Sequence, residues 1–368
     1  MGLQVGIVGL PNVGKSTLFS AISSNKAEVA NYPFCTIEPN VGVVTVPDSR
    51  LKVLEELVNP QKVLPTVIEF MDIAGLVKGA STGAGLGNKF LANIREVDAI
   101  LHVVRCFADD NIVHVEGRVN PVSDKEIIDY ELQLKDLESV DKKIQKTERA
   151  AKNGEAKAKA QLAILLQYKS VLESGNSART VKGLDLDAKF DAIGDLCLLT
   201  DKPVIYVANV DEKSISVQTN EYVEALKASV APEGAEVIVI CAALEAQIAE
   251  MEDEEDRQMF LEEYQLTESG LDKLIRGSYA LLNLITYFTA GVKEVRAWTI
   301  QKGWKAPAAA GVIHSDFERG FIRAEVIKFA DYQHYKSENA CKEAGKLSVE
   351  GKEYTVIDGD IMHFRFNV

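Results

Sequence analysis

The run Gly9-Leu-Pro-Asn-Val-Gly14-Lys15-Ser16 constrains this chain more than any other stretch. It matches G-x-x-x-x-G-K-[ST]. The preceding residues 3–8 read as a short buried strand, and a helix is expected from about Lys15. In that context the glycines let backbone N–H groups point at phosphate oxygens. Lys15 can bridge β- and γ-phosphates, Ser16 can bind Mg²⁺, and the helix N-terminus favours negative charge. An ordinary glycine-rich turn would match the pattern without the flanking strand and helix.

The rest of the chain is read around that loop. At 368 residues it is too long for one core, so two or three domains are expected. Further strand candidates are Val67–Met71, Ile100–Val104, Val204–Val207 and Val237–Ile240. Helical patterns separate several of them, which predicts a mainly parallel α/β sheet. Between about Asp124 and Leu199 no strand is apparent. Ile127, Tyr130, Leu134, Leu137 and Ile144, then Leu162, Leu165 and Leu172, recur at helical steps on either side of Asn153-Gly154. This predicts an inserted antiparallel helical hairpin. The acidic stretch 250–263 reads as a solvated helix face. Beyond Leu281, residues 297–300, 309–313, 322–327 and 361–366 read as short strands of a β-rich C-terminal module. The expected division is a P-loop domain over 1–125 and 200–282, the hairpin over 126–199, and the C-terminal module over 283–368.

Composition narrows the classes. A net charge of −14 argues against non-specific coating of nucleic acid or membrane, so any nucleic-acid contact needs a local basic patch. The five cysteines are scattered, without a C-x-x-C pair, which argues against zinc and disulfides and fits a reducing, cytoplasmic setting. No signal-peptide pattern and no membrane-spanning apolar run are visible, so no membrane partner is expected.

Two further segments bear on phosphate chemistry. Asp72-Ile73-Ala74-Gly75 follows the Val67–Met71 strand about sixty residues after the phosphate loop. There an Asp can hold Mg²⁺ through water, and the Gly75 amide can sense a γ-phosphate. Residues 78–87 hold four glycines and suit a switch loop or a plain flexible one. In the Pro-restrained run 31–40, Thr36 could complete the Mg²⁺ shell or be an ordinary loop residue.

Together, Pro11–Ser16, Tyr32-Pro33-Phe34-Cys35-Thr36 and Asp72–Gly79 resemble the Obg-type switch set. Asn209-Val210-Asp211-Glu212 narrows the resemblance to the YchF, or Obg-like ATPase, family. The run from His314 to Ala324 is similar to that family's TGS domain, a small β-grasp. The resemblance spans essentially the whole chain. It implies a slow ATPase associated with ribosomes, with Ser16 and Thr36 as Mg²⁺ ligands and Asn12, Val13, Gly14, Lys15, Ser16 and Thr17 around the phosphates. The alternatives are an Obg-type GTPase, or a ribosome-binding module that keeps nucleotide as a structural ligand.

Several positions depart from ordinary GTPases. Leu76 stands where Ras-like enzymes carry a water-orienting Gln, so the attacking water needs another organiser. The resemblance suggests His114, which sequence alone reads rather as a surface histidine without a role. K⁺, offered the carbonyl of Asn12, is a second candidate. His102, inside an apolar run, reads as a packed residue. In the base-recognition motif, Val210 and Glu212 replace the Lys and Asp that read guanine. ATP is therefore expected to bind at least as well as GTP, with Asn209 acting at the base edge or on the phosphate loop. Lys142, Lys143, Lys146, Arg149, Lys152, Lys157 and Lys159 cluster near the hairpin tip. They form either a solvated tip or a surface for RNA or the ribosome, its large subunit or the whole particle. The first five and the TGS-like domain are the expected contacts.

Overall fold

The computed structural model describes residues 3–24, 40–73 and 86–367. Strands β1 (Gln4–Val8), β4 (Val67–Asp72), β5 (Ala99–Arg105), β6 (Val204–Asn209) and β7 (Glu236–Ile240) occupy the expected places, and the structure adds β2 (Val41–Thr45) and β3 (Val63–Leu64), which were not expected. All except β3 form one sheet in the order β2-β4-β1-β5-β6-β7. It is parallel apart from β2, which runs antiparallel to β4. Every residue of β5 and β6 is buried. Helices cover both faces of such a sheet, so its central strands are continuous apolar runs rather than alternating ones. The carboxyl ends of β1, β4, β5 and β6 share one edge, where ligands of open α/β sheets bind.

Helices α1 (Lys15–Ser24), α2 (Ser49–Val58) and α3 (Leu86–Glu96) precede the insertion. The hairpin itself is α4 (Pro121–Lys152) and α5 (Ala156–Glu173), antiparallel as expected and joined through Asn153-Gly154-Glu155. Pro121 suits the first turn of α4, and the Asn120 side chain caps it by accepting from Ser123 N–H. At 1.5 Å per residue, α4 is about 48 Å long.

The buried face of α4 differs from the expected stripe. Tyr130 is 60% exposed, whereas Ile128, Leu132, Val140 and Ile144 are buried. The reason is a polar root. Asp124, Lys125, Asp129 and Asp136 are buried as well, and apolar spacing cannot register them. Lys125 pairs with Asp129 at 2.7 Å and with Glu233 at 2.9 Å, and Arg179 pairs with Glu233 at 2.8 Å. Asp136 accepts from the Leu199 and Thr200 amides and from the Thr200 hydroxyl, at 2.7 to 2.8 Å. Beyond this root, Val140, Ile144, Leu165, Tyr168 and Leu172 pack with Ile193 and Leu198, the former from α6 (Leu186–Ile193).

The C-terminal sheet comprises β8 (Leu284–Ala290), β9 (Val295–Gln301), β10 (Phe321–Lys328), β11 (Ser348–Glu350) and β12 (Asp360–Phe366). The order β11-β10-β12-β8-β9, with β12 parallel to β8 and the remaining neighbours antiparallel, is a β-grasp. Residues 309–313 are not the expected strand. They belong to helix Ala306–Ile313, where Pro307 sits in the first turn and three successive alanines favour helix.

Segment 49–64 also departs from the division by chain order. Leu51 and Leu54 of α2 pack with Phe288, Val295, Ile327 and Tyr332 of the C-terminal module, and β3 extends its sheet beside β9. Arg50 donates to both Asp48 and Asp358, each at 2.7 Å.

Candidate nucleotide site

The phosphate loop is shaped by close packing. A Cβ at Gly9 would lie 2.7 Å from the Val103 carbonyl oxygen, and Gly14 has φ +93°, where a side chain is strained. A Cβ on Gly14 would also meet the Asn209 amide nitrogen at 2.2 Å. Asn12 itself takes φ 62°, and its Nδ2 donates to the Val113 carbonyl at 3.1 Å. Ser16 and Thr17 are exposed in the first turn of α1, which contains no acidic residue. The helix end therefore presents unopposed partial positive charge and two hydroxyls.

Lys15 is 8% exposed, and its Nζ lies 2.9 Å from Asp72 Oδ1 at the carboxyl end of β4. The loop cation and the strand-end carboxylate thus neutralise each other. The exposed Ser16 hydroxyl and the Asp72 carboxylate are hard oxygen donors of the kind Mg²⁺ takes in small number, the rest of its shell being phosphate and water. Thr36 and Gly75 lie outside the described residues, as does Leu76. Among the described residues no group of three or more His, Cys, Asp and Glu could hold a metal by itself.

In the Asn209–Glu212 motif, Asn209 is 4% exposed. Its Nδ2 donates to the Val13 carbonyl and its Oδ1 accepts from Ala242 N–H, both at 2.9 Å. Both ends of the amide hold the phosphate loop against the turn after β7. Val210 is buried, and its N–H donates to the Ile240 carbonyl. Asp211 caps α7 (Glu212–Ile215) by accepting from Ser214 N–H at 3.0 Å, leaving Glu212 exposed at the start of that helix.

A family model described as a 50S ribosome-binding GTPase matches residues 4–152, and the YchF C-terminal model, described as a protein of unknown function, matches 284–367. The proteins named ribosome-binding ATPase YchF in Haemophilus ducreyi and Bacillus subtilis are each 57% identical to this chain, over 368 and 369 residues, covering 100% of both sequences. The chain belongs to the YchF family. The solved structure of the Schizosaccharomyces pombe YchF GTPase aligns with a TM-score of 0.89 and 42% identity, covering 99% of this chain and 98% of that one. A GTP-binding protein from Pyrococcus horikoshii, 20% identical with a TM-score of 0.61 over 99% of this chain and 100% of its own, shares the fold.

The loop after β5 carries His114 in this YchF member. His114 Nε2 lies 2.8 Å from Asp124 Oδ2, and the two side chains are 5% and 3% exposed. The ring's Nδ1 accepts from Glu116 N–H at 3.2 Å, so Nε2 carries the proton and donates it to the carboxylate. Burial pushes the Asp124 carboxyl above the usual range, against the opposing pull of His114. Sequence reasoning missed this partner, because an Asp in the first turn of a helix looks like an ordinary complement to the dipole. It also missed Arg105, which is buried and donates to the carbonyls of Phe107, Asp109 and Ile112. His102 is the packed residue expected: it is 2% exposed and tilted against Tyr206. Burial first, then Lys125 and Arg179, bring its value down to about 3.

The hairpin's basic residues are unequal. Lys142 is paired with Glu138, Lys143 with Asp195, and Lys157 with Asp191. Lys152 lies 3.9 Å from Glu148. Lys146, Arg149 and Lys159 are exposed and form no ion pair among the described residues. No described helix is long and apolar enough to cross a membrane.

Proposed function

We propose that this chain is a Mg²⁺-dependent ATP hydrolase whose nucleotide state controls its binding to the ribosome. The observation that carries the reading is the Lys15–Asp72 pair at the mouth of the phosphate loop, in a chain 57% identical end to end to proteins named ribosome-binding ATPases. Lys15 turns from Asp72 to the β- and γ-phosphates when triphosphate binds. That frees Asp72 to join Ser16 and Thr36 around the metal. The amides of Asn12 to Thr17 surround the phosphates, and the Gly75 amide reads the γ-phosphate. Bound Mg²⁺ supplies positive charge that offsets the charge on the phosphoryl oxygens. His114 orients the attacking water. K⁺ would be taken by the side-chain carbonyl of Asn12, whose Nδ2 donates to Val113.

ATP is preferred over GTP in this reading. Val210 is buried and unable to brace a base as a lysine stem does, and Glu212 begins a helix one methylene further out than the guanine-reading Asp. Asn209 acts on the phosphate loop. Ribosomal RNA is met by Lys142, Lys143, Lys146, Arg149 and Lys152 with the β-grasp module, and Lys146 and Arg149 contribute most because they carry no competing carboxylate. Calorimetry with ATP and GTP in the presence of Mg²⁺ tests the preference, and tighter binding of GTP would overturn it.

A second reading keeps the nucleotide as a structural ligand of a ribosome-binding module. The engagement of both His114 ring nitrogens favours it. Turnover below background with and without ribosomes and K⁺ would select it over the first.

A further inference from the structure

We infer that Asp124 is a latch that holds His114 away from the nucleotide, so that hydrolysis requires the β5–α4 loop to release from the root of the hairpin. The inference rests on the role given to His114 above, and four observations support it.

First, the ring has no nitrogen to spare. In a working carboxylate–histidine dyad one nitrogen meets the carboxylate and the other meets water or substrate. Here Nε2 meets Asp124 and Nδ1 meets the Glu116 amide. Second, Asp124 is poorly satisfied for a residue with a purely structural task. Its Oδ1 is buried with no hydrogen-bond partner among the described residues, whereas Asp136, twelve positions along the same helix, receives three donors. A buried carboxylate oxygen without a partner destabilises the closed arrangement, and release of the loop would open that oxygen to water.

Third, the two sides of the contact are anchored differently. Asp124 sits beside Lys125, which is tied to Asp129 and Glu233, so the helix root is the stationary side. Arg105 fixes the loop only as far as Ile112, and from Val113 onward the loop is held by Asn12 and Asp124. Ile112, Val113 and Val115 are already 37%, 74% and 48% exposed, so moving that stretch uncovers little apolar surface. Fourth, Asn12 belongs to the phosphate loop, so the carbonyl beside His114 is tied to the nucleotide site itself. Asp124 is thus a positioning residue that acts through His114.

The test uses the full chain with Mg²⁺ and ATP under single-turnover conditions. Asp124→Ala is expected to hydrolyse ATP about threefold or more faster than the unmodified protein, with unchanged ATP affinity. Asp124→Asn, which keeps the shape and weakens the bond, should fall between. The double variant Asp124→Ala with His114→Ala should be no faster than His114→Ala alone. An Asp124→Ala or Asp124→Asn rate at or below the unmodified rate, with melting temperature and ATP affinity retained, overturns the latch. A His114→Ala rate equal to the unmodified rate instead removes His114 from the reaction. The restraint is then judged by exchange of the Glu116 amide: roughly tenfold faster exchange in Asp124→Ala supports it, and unchanged exchange overturns it.

Discussion

Asn209 and Val13 are 196 positions apart, yet the side-chain amide of the first donates to the backbone carbonyl of the second at 2.9 Å. The same side chain accepts from Ala242. The base-recognition motif therefore buttresses the phosphate loop from behind. Asn209→Ala leaves a buried carbonyl and a buried N–H without partners, at a cost of about 1–3 kcal/mol. Nucleotide affinity should fall together with melting temperature, for ATP and GTP alike. A loss confined to one nucleotide would return Asn209 to the base edge.

The Lys15–Asp72 pair predicts a different signature. Lys15→Ala deletes the cation that the phosphates need, so a fluorescent-nucleotide titration should show tight triphosphate binding abolished. Asp72→Asn removes the pair but leaves the lysine free, so binding measured without Mg²⁺ should be retained or improved while the Mg²⁺-dependent increment shrinks. An increment of unchanged size would remove Asp72 from the metal's surroundings.

His102 sets an acid limit on stability. Its folded-state value of about 3 lies below the ordinary 6.5, because burial and the nearby Lys125 and Arg179 oppose protonation. The unfolded chain takes up the proton first. Stability is therefore fully present above about pH 6.5 and is lost as pH falls towards 3, by up to about 1.4 kcal/mol per pH unit. His102→Phe, which keeps a ring against Tyr206, should flatten the fall in melting temperature between pH 6.5 and 4.5. An identical pH profile in the variant would rule out this histidine as the source.

The hairpin cations should separate into two classes. Lys146→Glu with Arg149→Glu should weaken ribosomal RNA binding and reduce the slope of log affinity against log salt by roughly 0.7–0.9 per lost phosphate contact. Lys142→Glu with Lys143→Glu should do less, since Glu138 and Asp195 already neutralise those residues. Equal effects from both pairs, read by co-sedimentation over a salt series, would show that the ion pairs open on binding.

Much of this was legible in the sequence for identifiable reasons. The phosphate loop sits in a rigid local context, and strands buried on both faces are visible as unbroken apolar runs such as those around Ile100 and Val204. The short run 309–313 was misread as a strand because a few apolar residues carry no period, and its helix is decided by Pro307 and the three alanines that follow it. The face of α4 was misplaced because its root buries Asp124, Lys125, Asp129 and Asp136, whose partners come from elsewhere in the chain. The same blindness hid the contact of His114 with Asp124, since a pairing across a loop and a helix start leaves no mark in spacing.

The placement of α2 and β3 bears on where this chain can be cut. The backbone leaves the nucleotide-binding sheet after β2, contributes Leu51, Leu54 and a strand to the β-grasp, and returns as β4 carrying Asp72. A truncation at residue 283 would strip the cover from Leu51 and Leu54, so a clean exchange of the C-terminal module between relatives must carry 49–64 along with it. The β-grasp is threaded into the strand connection that ends at Asp72. Displacement of that module has a covalent route of nine residues, from Leu64 to Asp72, into the nucleotide site.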